Sequence, residues 1–140
     1  MGNANKGVAN GRWGEEVAVE RLRREGLEII ERNVRPFAYD RRLEIDVVAY
    51  DPRSDTMIFV EVKQHSLHMD GETRLRSVDG RKKRLLRTAC GAWRRKNHWE
   101  GGYRFDVIEV FGAPGCRHPE VDHIRHVPIS IPRSKLVPWT

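Results

Sequence analysis

Apolar residues in the first part of the chain recur at the spacing of an α-helix. Within residues 11–25, those that share one helical face are Trp13, Val17, Ala18 and Leu22. Gly26 follows directly and is a typical helix end. The preceding residues 1–10 are rich in Gly, Asn and Ala, so we predict that they form a flexible N-terminus. The pattern therefore predicts one amphipathic helix ahead of any strand.

Four further segments have the composition and spacing of β-strands. They cover residues 27–33, 43–50, 57–62 and 103–111. The third is an almost continuous apolar run, which is typical of a buried central strand. The turn residues that precede it predict a hairpin with the second. We also predict an edge strand at about 123–131.

A second helix is predicted to begin at Ser77 or Asp79 and to run to about Asn97, after a polar loop over residues 64–73. The resulting order of elements is αβββαβ with a C-terminal extension. This order predicts an α/β fold in which a mixed β-sheet is flanked by helices. The chain of 140 residues fits one domain, which we place at 11–131, with a C-terminal tail at 132–140.

The formal net charge is +6, from 26 basic and 20 acidic side chains, which favours a polyanionic partner such as DNA. Eight basic residues and no acidic ones occupy the second predicted helix between Arg81 and Lys96. The candidate nucleic-acid-binding residues are Arg81, Lys82, Lys83, Arg84 and Arg87, together with Arg41 and Arg42 ahead of the second strand. The alternative is a solvated helix face, which is the usual meaning of a charge run.

No segment is apolar enough to span a membrane, and residues 1–10 do not resemble a signal peptide. The two cysteines, Cys90 and Cys116, stand in different contexts, which suits a reducing compartment. We therefore expect a cytoplasmic protein without a membrane partner. Cys116 and three histidines near it resemble a zinc site only superficially, because their spacing matches no closed zinc site and a second cysteine is lacking there. We expect these histidines to be solvated.

The residues with the clearest chemical potential are Glu44, Asp46, Glu61 and Lys63, on the two strands of the predicted hairpin. Strand alternation would direct Glu44 and Asp46 to one face, and Ile45 to the other with Val47. Acidic side chains inside such apolar strands are costly unless they are paired or bind a metal. Two carboxylates suit Mg²⁺, and a lysine beside them could position water or neutralise a transition state. The alternative is a buried structural ion pair.

The spacing between Asp46 and Glu61-Val62-Lys63, in this order of elements, resembles the PD-(D/E)xK nuclease superfamily, which has the restriction-endonuclease-like fold. Further runs make the chain similar to the YraN family of small bacterial proteins, relatives of archaeal Holliday junction resolvases. These runs are Gly11-Arg12-x-Gly14-Glu15, Glu31-Arg32-Asn33, Glu44-Ile45-Asp46, Phe59-Val60-Glu61-Val62-Lys63 and Arg104-Phe105-Asp106-Val107.

This resemblance implies that Asp46 and Glu61 are ligands of Mg²⁺ or Mn²⁺ and that Lys63 is the catalytic lysine. It also implies a role for Glu15 as a further catalytic acid and metal ligand, although an ordinary solvated glutamate is the alternative. The candidate accessory residues are Glu44, Gln64 and His65.

The function that the resemblance implies is metal-dependent hydrolysis of DNA phosphodiester bonds, with branched DNA as the favoured substrate. A homodimer would supply the two active sites that a symmetric junction needs. Two other functions stay open. One is a non-catalytic nucleic-acid-binding protein on a nuclease scaffold, and the other is an adaptor whose basic helix docks an acidic protein.

Overall fold

The computed structural model describes residues 3–37, 39–40, 43–66 and 80–129. Two α-helices and five β-strands make up this part of the chain. They are α1 (Asn3–Arg24), β1 (Glu28–Val34), β2 (Ile45–Asp51), β3 (Thr56–His65), α2 (Gly80–Lys96), β4 (Gly102–Phe111) and β5 (Glu120–Ile124). The predicted α/β class and the predicted hairpin are confirmed. Neither described helix is long and apolar enough to cross a membrane.

The five strands form one mixed sheet in the order β1-β2-β3-β4-β5. β1, β2 and β3 pair antiparallel, β3 pairs with β4 parallel, and β5 returns antiparallel to β4. A parallel pair needs a crossover connection, and α2 lies in the segment that joins β3 to β4. β3 is therefore the central strand, as its apolar run predicts, and its residues have neighbouring strands on both sides.

Each face of the sheet packs against one helix and has its own hydrophobic core. Ala18, Val19 and Leu22 of α1 pack against one face, which includes Val60 of β3. Leu86, Ala89 and Trp93 of α2 pack against the other face, which includes Phe59 of β3. Adjacent residues of β3 thus enter different cores, as strand alternation requires.

The first helix begins at Asn3, eight residues before its predicted start. The expected flexible N-terminus is therefore helical over most of its length. Once the packed turns around Val19 and Leu22 exist, each added residue contributes one hydrogen bond, and this offsets the roughly 1 kcal/mol cost of Gly7 or Gly11. The predicted end is correct, because Gly26 adopts a positive φ of 84° and Leu27 N donates to Leu22 O.

Two strand boundaries also differ from the prediction. β3 continues to His65 through a segment that its polar composition assigns to a loop, because backbone pairing with β4 extends to the His65 and Phe111 register pair. β5 covers Glu120–Ile124 instead of 123–131. Its extent follows from pairing with β4, whose register partners run from Phe111 back to Val107.

Several predictions concern residues outside the described ones. They include Arg41 and Arg42, the caps at Ser77 and Asp79, the side chain of Arg81, and the tail at 132–140.

Candidate active site

Regular alternation of side chains fails in β2 at Asp46. Ile45 joins the core beneath α2, whereas Val47 joins the core beneath α1, so the prediction that these two residues share a face is wrong. The cause is visible at Asp46, whose Oδ2 accepts a hydrogen bond of 2.7 Å from Val62 N. The described pairing of β2 with β3 starts at Val47 and Val60. Beyond that pair, a side-chain oxygen serves as the acceptor for β3.

Asp46 lies in a small cleft at the edge between α1 and the start of β2. The cleft has a volume of about 180 Å³. Its lining residues are Gly11, Glu15, Asn33, Glu44, Asp46, Val62 and Gln64. The structure therefore brings together the predicted acidic residues of the first helix and the second strand, as well as the accessory residue Gln64.

Glu15 is held in this cleft by hydrogen bonds. Its Oε1 accepts from Arg32 Nε at 3.1 Å and from Asn33 Nδ2 at 3.0 Å, and its side chain is only 14% exposed. The alternative of an ordinary solvated glutamate is therefore wrong. Its neighbour Glu16 is 64% exposed and pairs with the same arginine from outside. Arg32 and Asn33 are thus part of the site, although sequence reasoning treated them only as family motif residues.

The cleft gathers negative charge around Asp46. Burial, together with the nearby carboxylates of Glu61, Glu44 and Glu15, raises the pKa of Asp46 to about 7, although the hydrogen bond from Val62 N acts in the opposite direction. Glu44 lies 3.7 Å from Arg35 Nε. Burial is the largest cause of this shift and the neighbouring carboxylates add to it, so the cleft favours an added positive charge.

Glu61 lies on β3 one residue before Val62, and its side chain meets two lysines. Lys63 Nζ is 3.1 Å from Glu61 Oε1, and Lys82 Nζ, from the first turn of α2, contacts the same oxygen. Glu61 Oε2 is buried and has no hydrogen-bond partner among the described residues. One carboxylate oxygen is therefore shared between two ammonium groups, while the other is unsatisfied.

The two ammonium groups respond differently to this contact. Burial lowers the pKa of Lys63, but the attraction of Glu61 and Asp46 outweighs it and the net pKa is raised. For Lys82, burial and the adjacent Lys63 outweigh the attraction of Glu61, so its pKa is lowered. Glu61 is thus the shared counterion of both lysines.

Lys82, one of the predicted DNA-binding residues, contacts Glu61 in the structure. Its contact with Glu61 places it inside the site, because Leu86, four residues later, lies in the buried stripe of α2. Residues four apart share a helical face. That spacing was the sequence signal that could have identified Lys82. Arg84 is exposed, while Lys83 and Arg87 are half-buried on the same turns of α2.

The two residues after Lys63 pack against the end of β4. Gln64 Nε2 donates to Gly112 O, and a Cβ atom added to Gly14 of α1 would lie 2.9 Å from Gln64 Cβ. The His65 ring stacks on Phe111 with a centroid distance of 5.1 Å. Gln64 therefore fixes the approach of α1 to the site, and His65 is packed into the protein beside it.

The donor set at the site fits a hard divalent cation. Asp46 contacts the backbone of β3 at Val62, next to Glu61. Burial raises the pKa of Asp46 to about 7, and Glu61 Oε2 is unsatisfied. No group of three or more His, Cys, Asp or Glu side chains within the described ranges is arranged to hold a metal ion. Mg²⁺ commonly binds through one or two carboxylates and completes its shell with water and phosphate oxygens, so two carboxylates suffice.

The expectation of solvated histidines fails at His123. Its side chain is 1% exposed and lies between two carboxylates, with Nδ1 2.7 Å from Glu25 Oε2 and Nε2 2.7 Å from Asp106 Oδ2. Asp106 also accepts from Arg104 Nε at 3.1 Å and from His126 N at 3.0 Å. Alternation on β5 places this ring against β4. Among the described residues, His123 is thus part of a buried hydrogen-bonded cluster and not of a zinc site.

The fold is a five-stranded mixed sheet between two helices, with Asp46 in β2 and Glu61-Val62-Lys63 in the central strand. This arrangement is an α/β fold of the nuclease-like class. Residues 14–110 match the family model described as "Uncharacterised protein family UPF0102". The chain belongs to this family, which is the YraN family, and the resemblance drawn from its motifs is confirmed.

Relatives named "UPF0102 protein" align over most of the chain. The one from Mycobacterium tuberculosis (strain ATCC 25177 / H37Ra) is 38% identical over 125 residues, which cover 86% of this chain and 92% of the relative. The one from Mycobacterium avium (strain 104) is 37% identical over 120 residues, with 84% and 88% covered. The one from Pelobacter propionicus is 36% identical over 115 residues, with 81% and 78% covered.

Proposed function

We propose that this protein is a metal-dependent endonuclease that hydrolyses phosphodiester bonds of DNA. The observation that carries the proposal is the contact of the Asp46 carboxylate with Val62 N, at the centre of Glu61-Val62-Lys63. This contact sets two carboxylates and an ammonium group around one short stretch of β3. Phosphodiester hydrolysis needs a site for a divalent cation and a positive group beside the phosphate, and this arrangement offers both.

Asp46 and Glu61 would hold Mg²⁺ or Mn²⁺, which supplies Lewis-acid stabilisation of the phosphate when bound. Glu15 lies in the same cleft as Asp46, and its bonds to Arg32 and Asn33 fix its carboxylate there. We assign Glu15 to the metal site as an auxiliary acid that would help to hold the cation and orient the attacking water. Glu44 adds negative charge to Asp46 and so strengthens the attraction of the cleft for a cation.

Lys63 is the group that we assign to the reacting phosphate. Its ammonium is 3.1 Å from Glu61 Oε1 and 26% exposed, so it is anchored at one side and accessible at the other. The raised pKa keeps the amine protonated at neutral pH. Lys63 therefore acts by orienting the attacking water and by neutralising charge that develops on the phosphate, and it does not act as a proton acceptor.

The basic turns of α2 are the proposed contact with the DNA backbone. Lys83, Arg84 and Arg87 lie within about two turns of Lys82, which touches the site, so a backbone bound along α2 would pass close to Glu61. Such contacts position DNA without reading its sequence. Branched DNA is the substrate class that the family resemblance favours. Cutting both sides of a symmetric junction would require a homodimer.

Cleavage of four labelled substrates tests this proposal. Four-way junction, flap, single-stranded and duplex DNA are incubated with Mg²⁺ or Mn²⁺ and the wild-type protein, Asp46→Asn or Lys63→Met. We expect wild type to cut the junction best and both variants to lose at least about 100-fold in rate, because each lacks a group that stabilises the transition state. Glu100→Gln, which alters an exposed carboxylate of the α2–β4 connection, is the control and should cut like wild type.

Binding of the same DNA is measured separately, as a function of salt. A nuclease whose α2 contacts phosphates loses affinity steeply as salt rises, by counterion release, and both variants retain DNA binding. Failure of wild type to cut any of the four substrates, with tight salt-dependent binding, would overturn the nuclease proposal in favour of a binding scaffold. Absence of binding as well would favour an adaptor.

A further inference from the structure

Lys82 occupies a position in the site that neither the basic charge of α2 nor the nuclease motif explains. It is the first described side chain of that helix, and it contacts Glu61 Oε1, the oxygen that lies 3.1 Å from Lys63 Nζ. The side chain of Glu61 is 11% exposed and that of Lys82 is 32% exposed. Lys82 is therefore a half-buried cation directed at one of the two carboxylates that we assign to the metal.

The ammonium groups of Lys63 and Lys82 repel each other because both contact one oxygen. The two lysines differ in the backbone that carries them. Lys63 belongs to the central strand, whose backbone is paired with β4 at this position. Lys82 has the same flexible stem as Lys63 but belongs to the first turn of a helix, whose first N–H groups lack intrahelical partners, so its backbone is the less constrained of the two. Of the two lysines, Lys82 is the one that can leave Glu61 at low cost.

We propose that Lys82 is a built-in counterion that occupies Glu61 in the metal-free protein and that a divalent cation displaces it. Metal and Lys82 therefore compete for the same carboxylate. After displacement, the ammonium group lies at the end of α2 beside Lys83 and is available to a phosphate of the DNA backbone. Lys82 is a positioning residue in this scheme. The inference rests on the proposed function, and it adds a coupling between metal binding and DNA binding.

Linkage makes the coupling reciprocal. Metal that releases Lys82 raises the affinity for DNA by one phosphate contact, and DNA that captures Lys82 raises the affinity for metal by the same factor. A variant without this ammonium group should bind the metal more tightly because no counterion needs to be displaced. It should also lose the part of DNA affinity that depends on metal.

The test is Mn²⁺ binding to the full chain, measured by electron paramagnetic resonance and calorimetry without DNA. We expect Lys82→Met to bind Mn²⁺ about 5- to 10-fold more tightly than wild type, as for loss of a competing half-buried ion pair. Lys96→Met removes the same charge from the last turn of the same helix and should not change the affinity. Lys82→Arg keeps the charge and should restore an affinity near that of wild type.

DNA binding is a second measurement, and a purely structural role of Lys82 would leave its dependence on metal unchanged. With Mn²⁺ present, Lys82→Met should weaken DNA binding and lower the slope of log K against log salt by about 1. Without metal it should bind DNA as wild type does, because Lys82 is then held by Glu61. Circular dichroism establishes that each variant is folded before either measurement.

The outcomes separate this inference from the function on which it rests. If Lys82→Met binds Mn²⁺ no more tightly than wild type, while wild type binds Mn²⁺ and cuts DNA, the counterion role is refuted and the nuclease proposal stands. If wild type binds no Mn²⁺, the proposed metal site fails and the counterion role fails with it. Tightening in Lys82→Met but not in Lys96→Met supports both.

Discussion

Replacement of Asp46 by asparagine should stabilise this protein, and the gain should grow with pH. The pKa of Asp46 in the folded chain is about 7, against an ordinary value of 3.8, because burial and neighbouring carboxylates disfavour its charge. Asparagine has nearly the same shape, and its amide oxygen can still accept the hydrogen bond from Val62 N. The variant therefore removes the cost of ionisation and little else.

The sign and size follow from proton linkage. Between pH values of about 4 and 7 the folded state keeps the Asp46 proton and the unfolded state does not, so stability falls as pH rises and levels off above about 7. Near pH 8 the ionised Asp46 lowers the free energy of unfolding by about 4 kcal/mol. Near pH 5 the folded state must instead take up a proton, and the loss is about 1.5 kcal/mol. The stability difference between Asp46→Asn and wild type should consequently be about 3 kcal/mol larger near pH 8 than near pH 5.

Urea denaturation in the presence of EDTA, at both pH values, measures this difference directly. EDTA matters because a bound cation would compensate Asp46 and hide the effect. Glu100→Gln, at an exposed carboxylate, should show the same small difference at both pH values. A gain for Asp46→Asn that is independent of pH, or a loss of stability near pH 8, would refute the view that Asp46 is an uncompensated buried acid.

Three further predictions concern other parts of the fold. His123→Ala should cost about 3 kcal/mol of unfolding free energy in urea, because it leaves the buried Asp106 carboxylate without one hydrogen-bond partner; a loss below about 1 kcal/mol would show that the ring is dispensable. Gly14→Ala should lower stability by about 1 kcal/mol, since overpacking against Gln64 outweighs the better helix propensity; a variant more stable than wild type would contradict this. Burial raises the pKa of Cys90 to about 12, so in the native protein a disulfide reagent should react with one thiol, that of the exposed Cys116; release of two thiols without unfolding would contradict it.

Most of the fold could be predicted from hydrophobic spacing alone. The core stripes of both helices, the buried central strand and the helix end at Gly26 each follow from a local pattern. The polar end of β3 could not be predicted in this way, because Gln64 and His65 have the composition of a loop. They belong to a strand because β4 supplies a backbone ladder along their whole length.

The candidate site was predicted in part. The spacing of Asp46 and Glu61-Val62-Lys63 gave their proximity, but it could not show that Asp46 breaks the alternation of β2 to reach Val62 N. The contact between Asp46 and Val62 N forms only when β2 and β3 are side by side in the folded hairpin. The contact of Lys82 with Glu61 was not predicted, because the basic residues of α2 were considered as one charged face, whereas Lys82 lies four residues before the buried Leu86.

Two buried acids in this protein show how structural and functional charge can be told apart. Asp106 is fully buried and has a partner for each carboxylate oxygen, from Arg104, His123 and the backbone of His126. Asp46 has one backbone hydrogen bond and three carboxylates near it. A fold that can build the Asp106 cluster has the means to compensate an acid that serves stability alone. The incomplete compensation of Asp46 is what the proposed cation site requires, because a bound cation would supply the missing positive charge.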